Sequence, residues 1–513
     1  MKKSPLLLLP LIPAAAASAQ ERPNVVLILA DDMGYSDLGC MGSEIETPNL
    51  DELARQGVLM TNFCNVSKSC PSRAALLTGL YSWRAGMGAM TNHGSTIPAY
   101  QGYLNENCVT IAEVLKESGY STYISGKWHV GDAEQYWPEH RGFEQTFHIP
   151  NGGGVYFYPS LFPQRQDRLI YRNGEQVSPE PGWYSTDGFG QMAAEFIRRP
   201  ENRQKPFFLY VPFIAPHYPL QAKPGDIEKY RGRYDAGYDA IRTARFKRQQ
   251  EAGILDPSFE ISAPEYPDWE SLSDEKKARE SLRMAVYAAQ IDCIDQNVGR
   301  IVSTLKEEGL YENTVIIFLS DNGAVMHHFD DTPDRPYGGP DCWASVGIWQ
   351  NVCNTPFRQG KGREFEGGIK TPLIISWPAG FRRSGYMVKD YAHITDVLPT
   401  IIELTGSKYP EEYNGHAIQP LDGRSIIPLL KGRHINRNRP LFFEHMGWKG
   451  MRQGRWKLVR KADADNWELY NLKRDPYETR DISQERKCRT RRMARKWEKW
   501  ASEVGVEPWP LSH

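Results

Sequence analysis

Residues 24–32 read NVVLILADD, a short and mainly apolar run that ends in two aspartates. The run is continuous and rich in Val, Leu and Ile, as expected for a strand that is buried on both faces of a parallel sheet. A strand with one face in water would instead alternate apolar and polar residues. We therefore predict a parallel sheet, with Asp31 and Asp32 placed directly after one of its inner strands.

Three further apolar runs lead to polar side chains in the same way. They are 314–319 (TVIIFL), followed by Asp321 and Asn322; 207–211 (FFLYV), followed by His217; and 121–124 (STYI), followed by Lys127 and His129. Helix-like segments at 110–118 and 291–310 lie between the runs. This alternation predicts an α/β fold, a large and mostly parallel sheet sandwiched by helices. Because ligands bind beyond the carboxyl ends of the strands in such sheets, we expect a polar site at that edge.

The pattern changes in the C-terminal part of the chain. Short alternating runs at 441–444, 450–452, 457–459 and 468–470 are separated by turn residues, and a basic helix-like stretch follows at 484–503. This predicts a smaller antiparallel sheet with a closing helix. We place the main domain at 20–435 and the C-terminal α+β subdomain at 436–513. The basic run 486–492 is interpreted as a solvated helix face, with nucleic-acid binding as the weaker alternative.

Length and charge limit the classes of protein that the chain can represent. A chain of 513 residues is long enough for one large domain and a smaller one. Its net charge of -1 and pI near 6.9 give no overall attraction to nucleic acid or to an anionic membrane. The eight cysteines are scattered without metal-type pairing, so we expect mostly buried free thiols, although export leaves disulfides open.

The first residues have the pattern of an export signal. Two lysines, an apolar segment and the small residues Ala17-Ser18-Ala19 predict a secretory signal peptide at 1–19. Prolines within the segment argue against a buried N-terminal helix. No later segment has the apolar length that crosses a bilayer. The sequence therefore predicts a periplasmic or secreted protein with no membrane span and no nucleic-acid partner.

The acidic residues at two strand ends form a candidate metal site. Asp31, Asp32, Asp321 and Asn322 offer only oxygen ligands, three of them anionic, which suits Ca²⁺ or Mg²⁺. Zinc is disfavoured because Cys and His are missing from the set. One aspartate pair after a strand is as often a helix N-cap. Two such strand ends in one chain favour one bound cation.

A second candidate is the segment 69–79, which reads SCPSRAALLTG. Pro71 suits the first turn of a helix, and Gly79 suits its end. Ser69 then lies at the positive end of the helix dipole, where an anionic substrate is stabilised. Arg73 follows one turn later. A Ser-x-Pro-Ser-Arg pattern alone is more often a helix cap, so the extension to Gly79 makes the segment specific.

These motifs together resemble type I sulfatases, within the alkaline-phosphatase-like superfamily. The resemblance covers 69–79, the segments around Lys127, His129, His217 and Lys361, and the two acidic strand ends, and it runs from about Pro23 to at least Pro372. The C-terminal segments 396–400 and 469–476 also look similar. The resemblance implies a sulfuric ester hydrolase whose residue 69 is oxidised to formylglycine, and six motifs in the expected order make chance resemblance improbable.

The resemblance also implies a role for each matching residue. Asp31, Asp32, Asp321, Asn322 and residue 69 would hold one Ca²⁺, with Mg²⁺ as the alternative. Arg73 and Lys127 would steady the formylglycine hydrate, which His129 assists. Lys127 and Lys361 would hold sulfate, and His217 would protonate the leaving alcohol. The cysteine of the motif, Cys70, stands one place out of register, which implies a serine-competent, radical-type bacterial maturase as partner.

Substrate identity lies outside the shared motifs. Segments 90–94, 154–158 and 326–349 are predicted to form the pocket wall, with His93, Asp330 and Trp343 as candidate substrate residues. Self-packed aromatic loops are an equal alternative for the last segment. The preferred substrate is a sulfated glycan carrying galactose or hexosamine sulfate, with an aryl sulfate also possible. The alternatives to the sulfatase are a non-catalytic sulfoglycan-binding protein and a phosphatase or phosphodiesterase of the same superfamily.

Overall fold

The computed structural model describes residues 22–162, 165–381, 385–435 and 439–511. The signal peptide predicted at 1–19 lies outside the described residues. Residues 436–438, where the predicted C-terminal subdomain begins, lie outside them as well. Along the part of the chain that is described, no helix is long and apolar enough to cross a membrane.

An eleven-stranded mixed sheet forms the centre of the fold. Its strands are β1 (Asn24–Ala30), β2 (Val58–Cys64), β3 (Ser121–Lys127), β4 (Gln145–Ile149), β6 (Ile170–Arg172), β7 (Glu175–Val177), β9 (Phe207–Pro212), β10 (Thr314–Ser320), β11 (Lys370–Ser376), β12 (Tyr386–Val388) and β13 (Ala392–His393). A separate two-stranded ribbon joins β5 (Phe157–Tyr158) to β8 (Trp183–Tyr184). The order in the main sheet is β12-β2-β11-β10-β1-β9-β3-β4-β6-β7, and β13 also pairs with β2.

The inner strands confirm the predicted mostly parallel sheet. β10, β1, β9, β3 and β4 are neighbours and all run parallel, so their carboxyl ends meet at one edge. β11 runs antiparallel between β10 and β2. The polar residues that follow β1, β9 and β10 are therefore brought to a common edge.

Helices cover both faces of the sheet. They are α1 (Pro48–Gln56), α2 (Ser69–Thr78), α3 (Ile111–Glu117), α4 (Ser185–Ile197), α5 (Pro224–Glu228), α6 (Gly237–Glu251), α7 (Asp274–Glu307), α8 (Gln350–Cys353), α9 (Glu366–Ile369), α10 (Val397–Thr405) and α11 (Ile427–Leu430). Side chains of β1 alternate between two cores. Val26 and Ile28 pack with residues of α4 and α7, whereas Leu27 and Leu29 pack with residues of α2, α3 and α10. A strand buried on both faces is what its continuous apolar sequence predicts.

Two predicted boundaries differ from the observed ones. The helix predicted at 291–310 begins at Asp274, because the Ser273 side chain caps an earlier start by accepting a hydrogen bond from the Lys276 amide at 3.3 Å. Lys127 was expected beyond the end of its strand, yet it is the last residue of β3. Its register partner is Ile149 on β4, so the sheet continues past the apolar run.

The C-terminal part forms the predicted small antiparallel sheet with a closing helix. A two-stranded ribbon, β14 (Glu412–Tyr413) and β15 (His416–Ala417), precedes it. The sheet consists of β16 (Leu441–His445), β17 (Trp448–Gln453), β18 (Trp456–Arg460) and β19 (Glu468–Asn471), and α12 (Lys487–Val504) packs against it. Trp497 on α12 donates a hydrogen bond to the Phe443 carbonyl at 3.1 Å. The side chains of 486–488, 491 and 492 are exposed, as expected for a solvated helix face.

The cysteines are free thiols, as predicted. Six are buried, Cys40 is partly exposed and Cys488 is exposed. Burial raises the pKa of Cys70, next to Ser69, to about 12. Cys70 is therefore a protonated thiol that packs in the core on one side of α2.

Candidate active site

The acidic residues predicted at two strand ends meet at one point. Asp31 and Asp32 follow β1, and Asp321 and Asn322 follow the neighbouring strand β10. The amide of Asp32 donates to Oδ1 of Asp321 at 3.2 Å, and the Asn322 side chain donates to Oδ1 of Asp32 at 2.7 Å. All four side chains are buried. The strand order therefore brings together residues that lie about 290 positions apart in the chain.

The cluster contains buried oxygens that lack a hydrogen-bond donor. Oδ1 of Asp31, Oδ2 of Asp32 and Oδ1 of Asn322 have no hydrogen-bond partner among the described residues. Buried polar atoms without a partner are costly, so such atoms indicate a missing ligand. Asp32 also adopts a left-handed backbone conformation, with φ of 70°. Non-glycine residues in this region are strained and are found at functional sites. Oxygen atoms arranged in this way fit a hard divalent cation.

Ser69 is the first residue of α2, and Gly79 ends that helix in the left-handed conformation, as predicted. The dipole of the helix places partial positive charge at Ser69. Arg73 lies one turn further and donates from Nε to Oγ of Ser69 at 3.0 Å. Its guanidinium also donates to the Lys127 carbonyl at 3.0 Å and lies 3.3 Å from a carboxylate oxygen of Asp31. Arg73 therefore connects α2 to β3 and to the acidic cluster.

Two lysines lie against the acidic cluster. Lys127, at the end of β3, forms an ion pair with Oδ2 of Asp31. Lys361 reaches Oδ1 of Asp32 at 2.5 Å, and its amide donates to the Ala324 carbonyl at 3.1 Å. Each lysine thus occupies one oxygen of its aspartate, and the other oxygen of that carboxylate has no hydrogen-bond partner among the described residues.

Both predicted histidines are brought to the same place. His217 lies with Nε2 3.6 Å from Oδ2 of Asp32, and its Nδ1 contacts the Tyr218 carbonyl at 2.6 Å. This second contact orients the ring by donation from Nδ1. His129 is buried in a left-handed conformation with φ of 60°. A Cβ on Gly152 would lie 1.9 Å from Nε2 of His129, so only glycine fits there beside the ring.

Charges in the cluster offset the effect of burial. Burial alone would raise the pKa of Asp31, but Lys127, His217 and Arg73 hold it well below its usual range. Burial lowers the pKa of His217 to about 4; Asp32 opposes this shift and Lys361 adds to it. The negative charge of a bound sulfate would raise the pKa of His217 again, because it stabilises the imidazolium.

The catalytic candidates line one cavity of about 210 Å³. Ser69, Lys127, His129, His217 and Lys361 all contribute to its wall. Residues 90–92 of the predicted wall segment 90–94 contribute as well. The cavity is smaller than the roughly 300–1,000 Å³ of pockets for drug-sized ligands, so it suits a small anionic group and what is attached to it.

None of the three predicted substrate residues lines this cavity. The His93 ring packs against Trp509 at 5.4 Å, and Asp330 forms an ion pair with Arg279 at 2.7 Å. Trp343 is buried behind Tyr218, with ring centroids 6.2 Å apart. These contacts favour the self-packed loop that was the equal alternative for 326–349. Their contact with a substrate that extends beyond this cavity stays a prediction.

Sequence reasoning missed several residues of the cavity wall. They are Lys68, Asp132, Gly152, Gly153, Arg165, Arg168 and Tyr218. They come from loops after different strands, and no local pattern connects them. Lys68 is the exception, because it directly precedes Ser69, the first residue of the motif 69–79. A cation beside an expected anion site was the signal that could have identified it.

Comparisons with known proteins agree with this geometry. The Sulfatase family pattern matches residues 23–407, and the C-terminal region of N-sulphoglucosamine sulphohydrolase matches residues 361–501. The chain is 34% identical over 447 residues to the arylsulfatase of Klebsiella aerogenes, which covers 83% of this chain and 96% of that protein. It is 31% identical over 454 residues to N-acetylgalactosamine-6-sulfatase of Canis lupus familiaris, covering 85% and 71% of the two chains.

A solved structure has the same fold. The crystal structure of Ps i-CgsB in complex with k-i-k-neocarrahexaose superposes with a TM-score of 0.69 at 28% identity, covering 94% of this chain and 93% of that chain. The chain belongs to the sulfatase family, within the alkaline-phosphatase-like superfamily. It is a sulfuric ester hydrolase.

Proposed function

We propose that the protein is an exported sulfatase that acts on galactose or hexosamine sulfate in a sulfated glycan. It uses a formylglycine formed from Ser69 and one Ca²⁺, with Mg²⁺ as the alternative metal. The single observation that carries this proposal is the convergence of Ser69, Arg73, the two lysines and the acidic cluster on one buried point.

The chemistry of the donor atoms supports the metal. Asp31, Asp32 and Asn322 each direct an oxygen that has no hydrogen-bond partner among the described residues, and Asp321 completes a set of oxygen ligands. Residue 69 is expected to contribute a further oxygen. A bound Ca²⁺ would balance the carboxylate charges and stabilise negative charge on the sulfate oxygens. Without it, the acidic residues would repel an anionic substrate.

The position of Ser69 supports its role as the precursor of the nucleophile. A formylglycine hydrate would supply two hydroxyl groups at this position, one to attack sulfur and one to expel sulfate afterwards. An unmodified serine has one hydroxyl, so it could accept sulfate but not release it. Arg73 donates a hydrogen bond to this oxygen. It also donates to the backbone carbonyl of Lys127, which places Lys127 close to residue 69.

The remaining side chains support binding and proton transfer. Lys127 and Lys361 supply positive charge to the sulfate, because each lies at the cavity wall with its ammonium beside the acidic cluster. His217 lines the wall of the cavity, and the Tyr218 carbonyl occupies its Nδ1. Nε2 is therefore the nitrogen that acts as the acid for the leaving alcohol. His129 lines the same cavity, against Gly152, and assists the hydrate.

Relatives support a glycan substrate. One is named N-acetylgalactosamine-6-sulfatase, and a structural neighbour was crystallised with k-i-k-neocarrahexaose, whereas another relative is named arylsulfatase. The cavity wall also contains hydroxyl-binding groups, such as Asp132 and Asn92, beside the cations. Side chains of this kind recognise sugar hydroxyls.

Export and maturation follow from the sequence. Residues 1–19 are proposed to direct export to the periplasm or the medium of a bacterium, with 20–435 as the catalytic domain and 436–513 as the C-terminal subdomain. Because residue 69 is a serine, a serine-competent, radical-type maturase is proposed as the partner. In a cell that has only a cysteine-restricted maturase, the protein would bind sulfate esters without turnover.

One experiment tests the chemistry. Protein from a serine-competent host is assayed for sulfate release from sulfated monosaccharides and disaccharides and from p-nitrophenyl sulfate, and the peptide spanning residue 69 is weighed by mass spectrometry. We expect release together with the loss of two hydrogen atoms at residue 69, and no release by Ser69→Ala. Full activity with an unmodified serine would contradict the formylglycine mechanism. If the converted protein releases sulfate from none of these substrates, the alternative of a non-catalytic sulfoglycan-binding protein is favoured.

A further inference from the structure

The cavity carries more positive charge than one sulfate ester requires. Five cationic side chains line it, namely Lys68, Lys127, Arg165, Arg168 and Lys361, against the single carboxylate of Asp132. Lys127 and Lys361 are paired with the aspartates of the acidic cluster. The other three cations lie outside the set that the proposed reaction uses.

Two of these three cations have no carboxylate partner. Among the described residues, neither Lys68 nor Arg165 forms an ion pair, whereas Arg168 is paired with Asp167. Nε of Arg165 and Nε of Arg168 are both buried and lack a hydrogen-bond partner within the same part of the chain. Buried guanidinium donors are normally satisfied by carboxylate, phosphate, sulfate or carbonyl oxygens. The unsatisfied donors therefore point to an acceptor that the protein does not itself supply.

The position of Arg165 is fixed by its neighbours. Its guanidinium lies over the Trp343 ring at 5.1 Å from the centroid, and Trp343 in turn packs against Phe162 and Tyr218. A stacked arginine keeps its in-plane donors available for a second partner. This gives the buried Trp343 an indirect function, because it holds a cation at the cavity wall without touching the cavity.

Positive charges that lie near one another at this cavity repel each other. Burial and the charge of Arg168 lower the pKa of Arg165. Burial is the main cause of this shift and the like charge of Arg168 is the second, so the Arg165 guanidinium lacks enough compensating negative charge. An anion bound at the cavity wall beside Arg165 would relieve the repulsion between Arg165 and Arg168.

We propose that the substrate carries a second anionic group besides the scissile sulfate, and that Arg165 and Lys68 bind it. This inference rests on the proposed function, and it selects among its substrates. The second group is a carboxylate or another sulfate on the same sugar or on the adjoining one. Asp132, whose Oδ1 has no hydrogen-bond partner among the described residues, is placed to accept a hydroxyl of that sugar.

The test compares substrates that differ by one charge. Converted protein is assayed with a monosulfated neutral hexosamine, with the same sugar carrying a second sulfate, and with the same sugar linked to a uronic acid; p-nitrophenyl sulfate is the reference. We expect kcat/KM for at least one dianionic sugar to exceed that for the monosulfated sugar by tenfold or more, an energy of about 1.4 kcal/mol. The two dianionic substrates distinguish sulfate from carboxylate as the second group.

Variants locate the effect. Arg165→Gln and Lys68→Gln are expected to lower the ratio of the two kcat/KM values by about fivefold or more each, because each variant loses a charge-assisted hydrogen bond to the second anion. Arg203→Gln is the control, because Arg203 is exposed and precedes β9 at the opposite edge of the sheet, so it should leave the ratio unchanged.

The outcomes separate the two proposals. Equal kcat/KM values for the monosulfated sugar and for both dianionic sugars would overturn the second-anion inference while leaving the sulfatase intact. The second-anion inference is also overturned if the variants lower kcat/KM by the same factor for every substrate. If Arg165→Gln does not fold, Lys68→Gln carries the test by itself. No sulfate release from any substrate, p-nitrophenyl sulfate included, would instead contradict the proposed function.

Discussion

Arg73 and Ser69 lie one turn apart on α2, and Nε of Arg73 donates to Oγ of Ser69 at 3.0 Å. The same guanidinium lies 3.3 Å from Asp31 and 3.4 Å from Asp321. Both carboxylate partners and Arg73 itself are fully buried. Burial lowers the pKa of Arg73, but Asp31, Asp321 and other nearby acidic groups together raise it above its usual value. Arg73 thus remains charged and fixes the distance between the nucleophile position and the acidic cluster.

Replacement of Arg73 is therefore expected to affect both activity and stability. Arg73→Lys keeps the charge but loses the planar fork, so kcat should fall by about 10²-fold or more. Arg73→Met also leaves two buried carboxylates with one cation less and should cost about 3–5 kcal/mol of unfolding free energy. Sulfate release and urea unfolding measure the two effects. Arg55→Met removes an exposed pair with Glu52 and should cost below about 1 kcal/mol; a similar loss for Arg73→Met would contradict the assignment.

Metal binding is predicted to depend on the acidic cluster. Ca²⁺ titrated into the protein should raise its thermal unfolding midpoint, since a ligand at 100 times its Kd adds about 2.7 kcal/mol of stability. Asp32→Asn removes one anionic ligand and should weaken Ca²⁺ binding at least about tenfold, which calorimetric titration measures. Asp256→Asn changes an exposed carboxylate outside the site and serves as the control. Unchanged affinity in Asp32→Asn would rule out the cluster as the metal site.

The main strands could be predicted because their sequences carry a local signal. β1 has the predicted bounds, since every residue from Asn24 to Ala30 is buried and the next residues are charged. The pattern failed at β3, where Ser125, Gly126 and Lys127 look like a loop. They extend the strand because β4 offers register partners beyond the apolar run. Pairing with a distant strand leaves no mark on the sequence of the shorter run.

The residues of the reactive centre could be predicted from the sequence, whereas those of the surrounding cavity wall could not. The acidic residues, Ser69 and the lysines were predictable because each follows a strand or lies in a motif. Arg165 and Asp132 were not, because they reach the cavity from loops whose course depends on packing elsewhere. Trp343 illustrates this limit. The sequence suggests it as a substrate residue, whereas in the structure its ring packs against Arg165 and Tyr218.

Gly152 is expected to be required for the position of His129. A methyl group on Gly152 would lie 1.9 Å from Nε2 of His129, so Gly152→Ala must displace the imidazole. A displacement of about 1 Å in a reacting group can lower the rate about 10²-fold. Overpacking should also cost about 1–3 kcal/mol of stability. Gly225→Ala, which meets no atom within 4 Å, is the matched control. Wild-type kcat in Gly152→Ala would argue against a role for the position of His129.

A buried ion cluster joins the segment after Lys361 to the C-terminal sheet. Glu366 lies 2.9 Å from the ammonium of Lys457 on β18, 2.6 Å from that of Lys370 and 3.5 Å from Arg452. Burial alone would raise the pKa of Glu366, but these three cations hold it well below its usual range. The cluster therefore gives a stability that depends on pH.

Because the pKa of Glu366 is lower in the folded chain, its contribution is fully present above the unfolded pKa of about 4.3 and is lost as pH falls below that value. Glu478, whose pKa burial raises to about 7, is mostly protonated in both states there and adds little slope. Below about pH 4.3, the unfolding free energy of the wild type should fall more steeply than that of Glu366→Gln, by up to about 1.4 kcal/mol per pH unit. Urea unfolding over this range measures the difference, with the exposed Glu503→Gln as control. Equal slopes for wild type and Glu366→Gln would show that the pKa of Glu366 is not lowered in the folded chain.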